Sequence, residues 1–73
     1  MTTKVGRFGI ILRAERLKRS LSQEALAELS GLSRNYVSSI ERGEVSPSLA
    51  TLEKLASALG ISLTKLMSKY ENY

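Results

Sequence analysis

The sequence predicts an all-α fold of five short helices. Apolar residues recur at three- and four-residue steps, serines stand where helices should begin, and glycines stand where they should end. No alternating strand pattern, internal repeat or low-complexity tract occurs. With 73 residues there is room for a single core, so one domain is expected over residues 1–73. So small a domain buries a modest share of its surface, which makes efficient packing or a partner necessary.

The elements follow in order. A first helix is expected from about Val5 to Lys18, with Phe8 and Leu12 four apart on one face and Ile11 beside them. Ser22 then precedes QEALAEL as an N-cap, and Glu24 suits the positive end of that helix. Gly31 should close it in a left-handed conformation. Ser33 caps the segment RNYVSSIER, which Gly43 stops, and Pro47 keeps the following GEVSPS stretch out of any helix. Ser48 caps a fourth helix carrying Leu49, Leu52, Leu55, Ala56 and Leu59, and Gly60 ends it. Ser62 opens a last helix with Leu63, Leu66, Met67 and Tyr70.

Composition narrows the chemistry. There is no cysteine, hence neither a disulfide framework nor a thiolate metal site. There is no histidine, the commonest general base and metal ligand. Serines are plentiful but lack any partner base, and no glycine-rich phosphate loop occurs. Neither an enzyme nor a metal or other cofactor is expected. The opening MTTKVGRFGIILRAERLKRS has only a short apolar patch, with Glu15 after it. That argues against a signal peptide, and no window approaches the roughly 20 apolar residues of a membrane span. The protein reads as soluble and cytoplasmic, with no membrane partner and no small-molecule ligand.

Charge is unevenly spread. Residues 1–19 carry Lys4, Arg7, Arg13, Arg16, Lys18 and Arg19 against Glu15 alone, while the remainder is slightly acidic. A basic N-terminal third points to an anionic partner such as nucleic acid, although charge alone is equally consistent with a solvated surface.

Residues 23–42, QEALAELSGLSRNYVSSIER, read as two helices joined by a tight turn. Leu26, Leu32, Val37 and Ile40 fall on the inner faces, and Ala27 is small where the second helix must come close. Such a pair is a helix-turn-helix, whose second helix enters the major groove of DNA.

The segments LSQEALAELSGLS, NYVSSIERG and PSLATLEKLASALGIS, in this order and spacing, resemble the Cro and phage-repressor family of XRE-type regulators. The resemblance runs from Arg7 to about Leu66 and implies a compact lambda-repressor-like domain that binds double-stranded DNA. With Val37 and Ile40 inward, Arg34, Asn35, Ser38 and Ser39 project outward and Tyr36 lies towards the flank. Arg34 can donate two bonds to guanine O6 and N7, and Asn35 can pair with the N6/N7 edge of adenine. Arg34, Asn35, Tyr36 and Ser39 are therefore the expected base-contacting residues. The resemblance gives Gln23 the role of holding a phosphate and bracing the third helix. Ser33, Ser38, Arg42, Ser46 and Ser48 are further phosphate candidates.

The same resemblance pairs Arg16, four residues beyond Leu12, with Glu41, four beyond Val37, as a partly buried ion pair. Two residues depart from the family pattern. Ser20 stands where a glycine often ends the first helix, so that turn should be either strained or differently shaped. Glu44 stands where a basic residue is common, and should weaken phosphate binding locally. The last helix, residues 62–73, repeats Leu66, Met67, Tyr70 and Tyr73 at helical spacing and is the expected homodimer interface. The reading is thus a sequence-specific repressor acting as a homodimer on a palindromic operator. The rival is a protein-binding module or antitoxin-type adaptor on the same fold. Within the DNA-binding reading, a stand-alone repressor, a restriction–modification controller, an antitoxin and the DNA-binding part of a longer regulator all stay open.

Overall fold

Serine hydroxyls begin four of the helices in the computed structural model, which describes residues 4–71. The five helices are α1 (Lys4–Lys18), α2 (Gln23–Ser30), α3 (Arg34–Glu41), α4 (Leu49–Leu59) and α5 (Leu63–Glu71), and no strand occurs among the described residues. The Oγ atoms of Ser22, Ser33, Ser48 and Ser62 each accept the backbone N–H three residues on, at 3.0–3.1 Å. Each hydroxyl thereby satisfies one of the orphan donors of a helix N-terminus. Gly31 and Gly60 end α2 and α4 at φ 71° and 74°, where a Cβ would be strained. Ser20 adopts φ 56° in the α1–α2 turn, the strain expected from its replacement of glycine.

The core draws on every helix. Phe8, Ile11 and Leu12 of α1 meet Leu26 and Ala27 of α2, Val37 and Ile40 of α3, Leu55, Ala56 and Leu59 of α4, and Leu66 of α5. Leu66 is completely buried within the chain's own core. Its assignment to a dimer interface is therefore corrected: it has no surface to offer a second copy. Tyr70 also serves the monomer, lying edge-on to Phe8 with ring centroids 6.5 Å apart, and the Arg7 guanidinium sits 5.4 Å from the centre of its ring. The last helix folds back on α1 because Phe8 and Tyr70 close the core there. Tyr73, also assigned to that interface, lies outside the described residues. No helix among those described is long and apolar enough to cross a membrane.

One glycine decides how closely α1 crosses α3. A Cβ on Gly9 would stand 2.5 Å from the carbonyl oxygen of Ile40 and 2.6 Å from that of Glu41. Both are backbone atoms at the end of α3 and cannot swing aside. Gly9 thus costs helix propensity but lets α1 press directly on the backbone of α3.

Most of the N-terminal positive charge is spent inside the fold. Glu15 is buried, and its carboxylate takes Lys18 Nζ at 3.1 Å, Arg19 Nη1 at 3.0 Å and Lys69 Nζ of α5 at 3.6 Å. Arg19 Nε also donates to the Leu59 carbonyl at 2.7 Å, satisfying an orphan acceptor at the end of α4. Burial pushes the Glu15 carboxyl up, but hydrogen bonds from Lys18 and Arg19 and the charges of Lys18 and Lys69 outweigh it and hold the group below its ordinary 4.5.

Two expectations follow from this packing. Gly9→Ala should lower stability by about 1–3 kcal/mol in urea denaturation, although alanine is the better helix former. An unchanged or raised midpoint would show that α1 and α3 can separate at no cost. Glu15 is more acidic folded than unfolded, so its contribution is present above pH 4.5 and is lost as pH falls below it. Thermal melts of Glu15→Gln should accordingly lie below those of the parent at neutral pH and converge with them under acid.

Candidate nucleic-acid interface

The turn joining α2 to α3 is Gly31–Leu32–Ser33, fixed by the Leu32 N–H donating to the Ala27 carbonyl at 2.9 Å. Val37 and Ile40 are fully buried, which sets the rotation of α3 about its axis. Arg34 and Asn35 are left exposed on the first turn, while Tyr36, Ser38 and Ser39 are half-buried. The outward face expected from the sequence is present, with Arg34 and Asn35 its most accessible members.

A second ionic cluster locks this face in place. Arg16 Nε donates to Glu41 Oε2 at 2.7 Å and Arg16 Nη2 to Glu41 Oε1 at 2.9 Å, a two-point pairing between side chains only 9% and 4% exposed. Arg16 Nη1 donates to the Leu21 carbonyl at 2.8 Å, and Gln23 Nε2 donates to Glu41 Oε1 at 3.1 Å. One arginine therefore joins α1, the α1–α2 turn and α3, while Gln23 adds α2. The Glu41 hydrogen bonds raise the Arg16 pKa further despite the opposing effect of burial.

The segment holding this two-helix unit, its three-residue turn and the exposed Arg-Asn pair lies within residues 12–66, which match a family model described as helix-turn-helix. The chain belongs to the helix-turn-helix family. This helix-turn-helix protein is 48% identical to the restriction–modification controller protein C.AhdI from Aeromonas hydrophila, with a TM-score of 0.82 over 85% of this chain and 94% of that one. It is 25% identical to the controller protein C.Esp1396I, described as a tetramer in complex with its natural 35-base-pair operator, with a TM-score of 0.89 over 99% of this chain and 95% of that one. It is also 45% identical over 58 residues to the immunity repressor of Bacillus phage phi105, covering 80% of this chain. The chain spans only 40% of that repressor's length.

The expected phosphate residues of the helix-turn-helix protein divide. Gln23 braces Glu41 as expected, and the same amide nitrogen carries a second hydrogen for another acceptor. The Ser33 hydroxyl caps α3 by accepting from Tyr36 N. The Ser48 hydroxyl accepts from Thr51 N and donates to Thr51 Oγ1, so it is committed within α4. Ser46 lines an apolar groove with Val5, Phe8, Pro47, Leu52, Met67 and Tyr70. Ser38 and Ser39 both accept from Arg42, which also pairs with Glu44. That pairing raises the Arg42 pKa and lowers that of Glu44, the hydrogen bond between them being the main cause.

Arg13 was not foreseen as a contact residue. It is exposed on α1 and lines an open cleft of about 360 Å³ with Arg16, Gln23, Ser38, Glu41 and Arg42. Arg16 there is paired with Glu41 and Arg42 with Glu44, so the cleft's surplus positive charge is that of Arg13, which suits it to an anion. The basic run of residues 4–19 carried this signal, but nothing in it separated Arg13 from the arginines used internally.

Glu41→Ala should destabilise the protein by about 3–5 kcal/mol, because it strands the buried Arg16 guanidinium. Replacing both Arg16 and Glu41 with apolar residues of similar volume should recover much of that loss. A urea midpoint indifferent to Glu41→Ala would show that the pair holds nothing together.

Proposed function

We propose that this protein is a sequence-specific transcriptional repressor that binds double-stranded DNA as a homodimer, placing α3 in the major groove. The observation carrying this reading is the exposure of Arg34 and Asn35 on the first turn of a helix whose opposite face is immobilised. Their donors and acceptors match the edges of guanine and adenine, respectively. Tyr36 and Ser39 flank them and complete the base-contacting set, although both are half-buried. Gln23, Ser38 and Arg42 lie around the basic cleft and are the phosphate residues the geometry favours. Ser33, Ser46 and Ser48 remain secondary candidates, because two of the three hydroxyls are occupied in capping.

The regulatory role is supported by relatives described as an immunity repressor and as restriction–modification controllers. Association with a second copy is supported by the operator-bound tetramer formed by C.Esp1396I. The remaining surface of Met67 and Tyr70 lines an apolar groove of about 270 Å³ between α1, α5 and the α3–α4 loop, which is the patch we assign to self-association. Two copies related by a two-fold axis would read two half-sites about one helical turn apart.

Selection of bound duplexes from a random pool tests the reading as a whole. The parent should enrich an inverted repeat with half-sites spaced by roughly 10 base pairs or a multiple of that. Arg34→Ala and Asn35→Ala should each relax one position per half-site and lose about 1–3 kcal/mol on the parent's preferred site. An unchanged motif with Arg34→Ala would mean that α3 is turned differently on DNA. Enrichment of a single half-site would dismiss the dimer, and no enrichment at all would dismiss sequence-specific binding.

A further inference from the structure

Arg42 is both a member of the basic cleft and the partner of the one acid that departs from the family pattern. Its Nε meets Glu44 Oε2 at 2.9 Å and its Nη2 meets Glu44 Oε1 at 3.0 Å. Parallel two-point donation from a guanidinium to two oxygens of one acid is also how arginine grips a phosphate. Glu44 is itself tied to α3, since its backbone N–H donates to the Ser39 carbonyl at 3.0 Å. Both side chains are more than half exposed, so the pair is held weakly and can open without disturbing the core. The opposite edge of Arg42 donates to Ser38 and reaches Ser39, which keeps the guanidinium beside α3 and at the rim of the cleft.

We propose that Glu44 is a built-in stand-in for a DNA phosphate, occupying Arg42 in the free protein and displaced when a backbone phosphate enters the cleft between Arg13, Gln23 and Arg42. The inference rests on the DNA-binding reading above and adds to it a control on affinity. A free arginine entering a duplex exchanges the condensed counterions of one phosphate for itself. Arg42 must first surrender a carboxylate, and that carboxylate then lies unpaired close to the phosphate it made way for. The net positive charge brought to the backbone is reduced by about one unit. Glu44 therefore tunes how tightly the protein holds any duplex and leaves base choice to Arg34 and Asn35.

The experiment compares the full chain with Glu44→Gln, Arg42→Ala and the double variant by fluorescence anisotropy, on both a selected duplex and a mixed-sequence duplex, across a salt series. Glu44→Gln keeps the shape and removes the charge. It should bind both duplexes more tightly than the parent, and, with one Glu44 removed from each protomer of the dimer, its advantage should widen roughly ten-fold for every four-fold dilution of salt. Selection from a random pool should return the parent's motif. In the Arg42→Ala background, where no guanidinium is released and only the repulsion is removed, the advantage should be smaller than in the parent. Equal or weaker binding by Glu44→Gln overturns the proposal, and so does a full advantage surviving in Arg42→Ala, which would reduce Glu44 to general repulsion. A parent that binds neither duplex at low salt removes the DNA-binding reading itself, an outcome distinct from either.

Discussion

The two-point contact between Arg16 and Glu41 is the constraint on which the arrangement of α3 depends. Two charges are held almost completely out of water, and such a pair is tolerated only when the remaining donors and acceptors are also satisfied. Here the Leu21 carbonyl takes the third guanidinium donor, and Gln23 supplies a further hydrogen to the carboxylate. Every partner lies on a different element or turn. The pair therefore adds geometric definition more than stability, since an apolar pair of equal volume could fill the same space but would not fix the heading of α3 so narrowly.

Basic composition at the N-terminus turns out to have two destinations. Arg16, Lys18 and Arg19 serve the interior, neutralising Glu41 and Glu15 and closing the end of α4. Arg7 lies over the ring of Tyr70. Arg13 lines the cleft beside Arg42 from the exposed side of α1. The charge excess that first suggested a nucleic-acid partner is thus largely a device for joining α1 to its neighbours, and the anion-facing part is smaller and more localised than the sequence count implies.

The helix ends were legible because their chemistry is local. A serine three residues before an orphan N–H and a glycine able to take positive φ need no knowledge of tertiary structure, and Ser22, Ser33, Ser48, Gly31 and Gly60 behave as read. The outer face of α3 was legible for a similar reason, since Val37 and Ile40 fix its rotation. The Arg16–Glu41 pair came from family resemblance, and spacing merely agreed with it. Gly9 was not legible, because its importance lies in another helix's carbonyls. Leu66 was misplaced for the converse reason: periodicity finds an apolar stripe but cannot tell a core lining from an exposed patch. Buried Glu15 escaped notice because a single acid among bases looks like ordinary surface until α5 brings Lys69 to it.

The close crossing at Gly9 has a mechanical consequence. Together with the Arg16 contact, it clamps α3 at its C-terminal end, near Ile40 and Glu41. Arg34 and Asn35 stand at the other end, roughly 10 Å away at the ordinary helical rise per residue. A rotation of about 5° at the clamp would carry them by about 1 Å, beyond the tolerance of roughly 0.5 Å within which a binding constellation must be held. The angular placement of the Arg34–Asn35 end is thus set by a glycine and an arginine on α1. Substitutions in α1 can consequently tilt the exposed Arg34–Asn35 end before they unfold the domain.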